Sequence, residues 1–487
     1  MRLLIILGLL ISPLALANVC FDTYRLSNYE RAVEPGVLVA ASGTAPAHCV
    51  VRGVINRAIR FEVRLPVEGW NGRFLMMGTG GSSGYIADTT QDLHRGYAIS
   101  STDTGHVGSD VDFATQPEAA LDYAFRAVHL AALTSKDVIQ QYYGRDIRYS
   151  YYEGCSNGGR QGLIEATRYP EDFDGIVAGA PVFQIMNEFM LWSLHVNRAQ
   201  MAHPLSDVHL QLLDRASSAA CDALDGVVDG VINDPRQCTL EHFDPADLVC
   251  QTGQADDTCL TEEQLQTVMA HYEGVVDAQG NVLSPGLLPG AEGAGDWKMW
   301  ALPGNQIPTT GETIETSLNA IVSDMLKVWV YQDPAYDHND FDIYADRGDL
   351  ARASAVLDVN SADLRKLRAR GGKVLMYQGW NDYPLRPQRA INYLHAVESS
   401  IGDERKTRDF FQLFMVPGML HCGGGPGAWD VDYLEPLVNW VEKGVRPEKL
   451  TGSRPDGKFT RTHCPYPQIA QFSEGDPDQA ASYRCSN

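Results

Sequence analysis

The apolar positions of the chain fall into two rhythms. Every-second-residue alternation over 59–65 (IRFEVRL) predicts a half-buried strand, and 73–77 (RFLMM) and 97–102 (YAISST) read as two more. Residues 117–143 instead repeat apolar side chains near helical spacing, at Leu121, Phe125, Val128 and Leu133, and predict a long helix. Alternation returns at Ile147, Tyr149 and Tyr151. A helix-compatible stretch, GRQGLIEATRYP, follows, and then a short buried strand over 173–180 (FDGIVAGA), closed by Pro181. Two further buried strands, 372–379 (GKVLMYQG) and 410–416 (FFQLFMV), precede a last helix-like segment over 433–443. Strands that alternate with helices predict the α/β class with a mostly parallel sheet.

From 182 to 356 this rhythm breaks. Gly and Pro are scattered through the region, with Cys221, Cys238, Cys250 and Cys259 and the aromatics Phe189, Trp192, Trp297, Trp300, Trp329 and Tyr331. So long an interruption reads as an inserted lid domain with its own core, not as a loop. The predicted organisation is a leader over 1–17, a catalytic domain in two parts, 18–181 and 357–487, and the lid between them. A length of 487 residues suits a catalytic core carrying such an insertion.

The first residues, MRLLIILGLLISPLALAN, place Arg2 before a short apolar run and Ala15-Leu16-Ala17. This predicts a signal peptide, too short for a membrane span, and a secreted or periplasmic protein. A net charge of −23 argues against nucleic acid and anionic membranes as partners, and the expected partner is a small-molecule substrate. Ten cysteines in an exported chain predict disulfides rather than metal ligands. Short spacings suggest Cys20 with Cys49, Cys221 with Cys238, Cys250 with Cys259 and Cys464 with Cys485, although spacing does not fix connectivity. Cys155 and Cys422 each stand beside a candidate catalytic residue.

The chemistry centres on Ser156. It sits in Gly-Cys-Ser-Asn-Gly between a predicted strand and a predicted helix, where a sharp turn exposes the serine oxygen and aims the next N–H into the same space. Asp382 lies just past strand 372–379 and His421 just past strand 410–416, which gives the order Ser, Asp, His of an α/β-hydrolase. Two other His-Cys pairs, at His48 and His463, compete. The first precedes the elbow and the second lies in what reads as an irregular tail. His106 reads as a structural hydrogen-bonding residue.

The glycine-rich loop 78–84 (GTGGSSG) after a strand, with Asp103 downstream, imitates a dinucleotide site and raises a nicotinamide-dependent oxidoreductase as an alternative class. The same loop in an α/β-hydrolase supplies an oxyanion N–H, the reading that agrees with the serine elbow. Within the lid, Asp222, Asp225 and Asp229 crowd into CDALDGVVDGVI, with Gly226 and Gly230 allowing the bends. Three such carboxylates suit a hard cation such as calcium. A calcium-dependent binding protein on an inactive hydrolase core is a third class, against which the intact triad speaks.

Taken together, the CS pair at Cys155-Ser156, Asp382 and the HC pair at His421-Cys422 resemble the tannase and feruloyl esterase family, which also includes bacterial mono(2-hydroxyethyl) terephthalate hydrolases. The resemblance extends through WNGRF from Trp70, GYAISSTDTGH from Gly96, GCSNGGRQG, FDGIVAGAP, CDALDGVVDG and GWND ending at Asp382. It implies a Cys155–Cys422 disulfide and a lid calcium held by Asp222, Asp225, Asp229 and the carbonyls of Val227 and Val231. It also implies oxyanion donors at the N–H of Asn157 and of one glycine of the Gly80-Gly81 pair, with Gly81 preferred. The expected activity is hydrolysis of feruloyl- or galloyl-type esters without an organic cofactor. Terephthalate-cleaving members use a lid arginine and an aromatic three residues after the catalytic Asp. Leu385 holds that second position here.

Overall fold

The alternation of the core strands is explained by what covers each face of the sheet they form. Phe74, Met76, Tyr152, Ile176, Val374 and Met376 point to one face, under helices Ala127–Tyr143, Asn157–Arg168 and Gln388–Ile401. Leu75, Tyr151, Val177 and Leu375 point to the other, under helix Leu434–Lys443 through Leu434, Leu437 and Val438. Both faces are dry, so the central strands read as continuous apolar runs. The computed structural model describes residues 18–82, 84–251, 257–302 and 316–487. The leader expected over 1–17 lies outside them, as does Ser83 of the glycine-rich loop.

Among the described residues the sheet has ten strands. From one edge the order is Arg31–Val33, His48–Ile55, Ile59–Pro66, Ala98–Thr102 and Arg73–Met77, then Tyr149–Cys155, Gly175–Gly179, Lys373–Gly379 and Phe411–Val416. Val37–Val39 pairs beside His48–Ile55. Pairing is antiparallel through the first four strands and parallel from Ala98–Thr102 onward. Parallel strands deliver their carboxyl ends to one edge, where α/β sheets place their sites. Tyr149–Cys155, Lys373–Gly379 and Phe411–Val416 therefore release Ser156, Asp382 and His421 on the same side.

Between strands Gly175–Gly179 and Lys373–Gly379 lies the insertion. Its helices, among them Leu191–Ala202, Asp207–Cys221, Glu262–Glu273 and Ser317–Asp324, gather around Trp192, Leu213, Val268, Trp297, Leu326 and Trp329. Tyr383 and Leu385, from the loop after Lys373–Gly379, enter the same cluster, and Phe183 of the insertion packs into the sheet core, so the two regions share apolar contacts. Among the described residues no helix is long and apolar enough to cross a membrane.

Two expectations change. The helix predicted over 117–143 is broken by a π-helical segment, Asp122–Arg126, between Pro117–Leu121 and Ala127–Tyr143. The tail is not irregular: Leu450–Ser453 pairs with Thr460–His463, and Ile469–Phe472 with Tyr483–Ser486. These strands are short and mostly polar, so they carry no apolar alternation to read. All ten cysteines pair, in the four short-range bridges expected and in Cys155–Cys422.

Candidate active site

Strand Tyr149–Cys155 runs directly into helix Asn157–Arg168, and Ser156 alone makes the turn, with φ 63° and ψ −121°. A non-glycine residue in this region is strained and is held there only by its surroundings. The neighbouring glycines are needed for close approach. A Cβ on Gly154 would meet the backbone of Gly158 at 2.8 Å, and one on Gly158 would meet that of Gly78 at 3.3 Å.

Ser156 Oγ lies 3.0 Å from His421 Nε2, and His421 Nδ1 lies 2.9 Å from Asp382 Oδ2. Asp382 is fully buried. Its Oδ2 also accepts from Gln378 Nε2 at 2.8 Å and its Oδ1 from the Leu385 N–H at 2.8 Å, so the carboxylate is locked in orientation. As an acceptor it requires the proton on Nδ1, which leaves Nε2 free to accept from the serine. Burial lowers the proton affinity of His421, but the charge and hydrogen bond of Asp382, with the charge of Asp296 behind them, outweigh it and raise the pKa.

Asn157 is the first residue of its helix, so its N–H has no partner within the helix. Gly81 lines the same cavity, and the hydroxyl of Tyr123 donates to its carbonyl at 2.9 Å. Tyr123 stands on the π-helical segment, whose extra residue per turn no apolar spacing reveals. The loop starting at Gly78 leads to a short 3-10 turn, Thr90–Arg95, not to a helix that could receive a pyrophosphate. Asp103 is buried and accepts the N–H groups of Arg60 and Gly105, so the acid of the apparent dinucleotide pattern is structural.

The competing histidines are occupied elsewhere. His48 bonds the Pro46 carbonyl, His463 that of Ala428 and His106 that of Ser82, each through one ring nitrogen. None reaches Ser156.

Beside the serine opens a cavity of about 380 Å³, mostly apolar, with Val182, Ile185, Phe189, Trp300, Met325 and Leu385 in its wall. Trp300 meets the His421 ring edge-on at 5.9 Å. The charged wall residues are Asp110 and Asp324, and no Lys or Arg lines it among the described residues.

The aspartate loop sits apart from this cavity. Asp222 accepts the N–H groups of Asp229, Gly230 and Val231, Asp225 that of Val227, and Asp229 that of Val231 together with the guanidinium of Arg461. The neighbouring tail packs Val227 against Cys464 and Tyr483, and Val231 against Phe459. Burial, and then the charges of Asp229 and Asp222 against a hydrogen bond from Val227 and the charge of Arg461, push Asp225 up to about 6. An all-oxygen donor set holding more negative charge than Arg461 offsets fits a hard cation. The three carboxyl groups stand wider apart than His129, Glu165 and Asp172, the trio among the described residues whose ligating atoms all fall within 4.8 Å of one another.

A mostly parallel sheet with a strained serine at its switch from strand to helix, and a buried acid and a histidine in the loops after two later strands, is that of an α/β-hydrolase. Residues 46–486 match the family Tannase and feruloyl esterase, and the chain belongs to it; it is a carboxylic ester hydrolase of the tannase and feruloyl esterase type. It is 34% identical to an uncharacterized esterase of Xanthomonas campestris pv. campestris, over 100% of this chain and 94% of that one. It is 30% identical to a mono(2-hydroxyethyl) terephthalate hydrolase of Piscinibacter sakaiensis, over 92% and 86%. The crystal structure of feruloyl esterase B from Aspergillus oryzae superposes with a TM-score of 0.84 at 25% identity, covering 97% of this chain and 100% of that one.

Proposed function

We propose that the protein is an exported serine carboxylesterase that hydrolyses esters of aromatic acids, of feruloyl or galloyl type, through an acyl-enzyme. The observation that carries the reading is the Ser156–His421–Asp382 chain of hydrogen bonds opening onto an apolar cavity wide enough for an aromatic ring. The five disulfides support an oxidising compartment.

His421 Nε2 takes the serine proton as Oγ bonds to the ester carbonyl carbon, and Asp382 stabilises the imidazolium. The carbonyl oxygen becomes an oxyanion facing the N–H groups of Asn157 and Gly81, each such donor contributing about 3 kcal/mol. Collapse breaks the carbon–oxygen bond to the alcohol, which leaves with the proton from His421. Water then gives its proton to the same nitrogen, attacks the acyl carbon, and releases the acid and free Ser156. In the insertion, Asp222, Asp225 and Asp229 with the carbonyls of Val227 and Val231 would hold a calcium ion, whose contribution is charge neutralisation that orders the loop.

An uncharged aromatic acyl group fits the cavity better than one bearing a free carboxylate. Asp110 and Asp324 stand in the wall, and Leu385 lies at the position an aromatic holds in terephthalate-cleaving enzymes. The test is turnover of methyl ferulate, methyl gallate and a terephthalate monoester by wild type and Ser156→Ala. Turnover of the neutral esters by wild type, falling by orders of magnitude in the variant at unchanged melting temperature, is expected. A variant that retains activity removes Ser156 from the mechanism.

A further inference from the structure

The residue that joins the two catalytic loops comes from neither of them. Asp296 opens the short helix Asp296–Ala301 of the insertion and is buried. One of its carboxylate oxygens, Oδ2, accepts the backbone N–H of His421 at 2.8 Å and that of Tyr383 at 3.4 Å. Tyr383 directly follows Asp382. A single oxygen from the insertion thus spans the loop that carries the base and the loop that carries the acid.

The segment around it is fixed on both sides. Gly290 accepts from the side chain of Asn381, the residue before Asp382. Trp297 stacks on His271 at 4.7 Å and packs against Tyr383 at 5.4 Å, and His271 in turn bonds the Tyr383 hydroxyl at 3.0 Å. Trp300, four residues on from Asp296, holds its ring against His421. The charged or titratable groups facing Asp296 are Asp382, His421 and the Tyr383 phenol, and those facing His421 are Asp382 and Asp296. Arg386, fully buried in the acid loop and bonded to the Pro384 carbonyl and the Ser284 hydroxyl, faces Asp382 and Tyr383.

We propose that Asp296 is a positioning residue for ester hydrolysis, holding the acid and base loops in register from the insertion and placing a second negative charge behind the His421 ring. The proposal rests on the serine-esterase reading above. Its two parts separate by chemistry. The hydrogen bonds need only an oxygen, which Asn retains, whereas the charge needs the carboxylate. A second anion near the imidazolium favours the protonated ring, so removing it lowers the pKa of His421. Burial raises Asp296 itself to about 6, with Asp382 adding to the effect, so at neutral pH the charge is present.

The experiment is the pH profile of kcat and kcat/KM on a neutral aromatic ester for wild type, Asp296→Asn, Asp296→Ala and Ser156→Ala, each below its melting temperature. Asp296→Ala is expected to lose at least about tenfold in kcat with KM nearly unchanged, as a loop displaced by a fraction of an ångström does. Asp296→Asn should recover most of that loss, and in both variants the acid limb should move to lower pH. An acid limb that stays in place in both, or an Asn variant as slow as the Ala variant, overturns the proposal. Wild type that fails to turn over the ester, or active Ser156→Ala, overturns the serine-esterase reading itself, so the two failures are told apart.

Discussion

Cys155 and Cys422 are bonded to each other across 267 positions of sequence, and each adjoins a member of the Ser156–His421 pair. The bridge ties the serine elbow to the histidine loop, with the whole insertion lying between them in sequence. A closed loop of that length carries a nominal entropic stabilisation of about 5 kcal/mol. Its position suggests a second effect, on geometry. Replacing both cysteines with alanine is expected to lower the melting temperature and also to lower kcat by about tenfold or more at temperatures where the variant is fully folded. Calorimetry and steady-state kinetics on the same preparation separate the two. A double variant that is less stable but fully active when folded leaves the bridge a purely structural role.

Calcium removal should act on the insertion rather than on the chemistry. Without a cation, Asp225, with a carboxyl at about 6, holds its proton more tightly than an unfolded Asp near 3.8. A raised folded pKa gives stability that is present below the unfolded value and lost as pH climbs through the folded one. Chelated protein should therefore lose more melting temperature at pH 7.5 than at pH 5, and calcium should restore it where equimolar magnesium does not. Elemental analysis that finds no calcium, together with a melt unmoved by EGTA, sinks the site.

The parts legible in the sequence are those whose signal is local. Ser156 is marked by two glycines, Gly154 pressed against the turn's own Gly158 and Gly158 against the loop at Gly78, and Asp382 and His421 by apolar strands that end just before them. Val37–Val39 went unread because all three residues are exposed, so burial imposes no alternation there. Asp296 and Tyr123 left no trace for a different reason. Nothing in its sequence context sets Asp296 apart from the chain's other acids, or Tyr123 from its other aromatics: packing of the insertion against the sheet brings the first to His421, and the π-helical turn of Asp122–Arg126 brings the second to Gly81. Lid aromatics divide the same way: Trp192 and Trp297 fill the insertion core while Phe189 and Trp300 reach the cavity, although their sequence contexts look alike.

The acidic rim predicts charge selection. Asp324 is half-buried; burial raises its pKa, Lys327 opposes this, and Asp112 and Asp110 add to it. Its anion should repel a substrate carboxylate. Asp324→Asn is expected to raise kcat/KM for a terephthalate monoester about fivefold relative to methyl ferulate, an effect that shrinks in high salt. Equal response of the two esters to the substitution removes Asp324 from selectivity.

The last prediction concerns Glu165, which lies on the helix that Ser156 begins but toward its far end. The residue is fully buried and neither carboxyl oxygen has a donor in the structure. Asp172 faces it, bonded to His129 Nδ1 at 2.6 Å, and Lys136 bonds the Asp172 carbonyl. Two facing carboxyl groups can bond only if one keeps its proton. Burial first, then the charge and hydrogen bond of Asp172, raise Glu165 well above its ordinary value, with Lys136 opposing. With one proton on Glu165, the charges of Asp172 and Lys136 balance and no further cation is needed. The folded group thus holds a proton that the unfolded chain releases near 4.5, and stability must fall as pH rises above that value. Glu165→Gln keeps the shape and supplies a permanent N–H donor to Asp172. It should melt close to wild type at pH 4.5 and a few degrees higher at pH 8, with ester turnover unchanged. Parallel melting curves for the two proteins across that range would mean that Glu165 is ionised in the folded state, and a divalent ion bound at His129, Glu165 and Asp172 would then be the compensation to look for by elemental analysis.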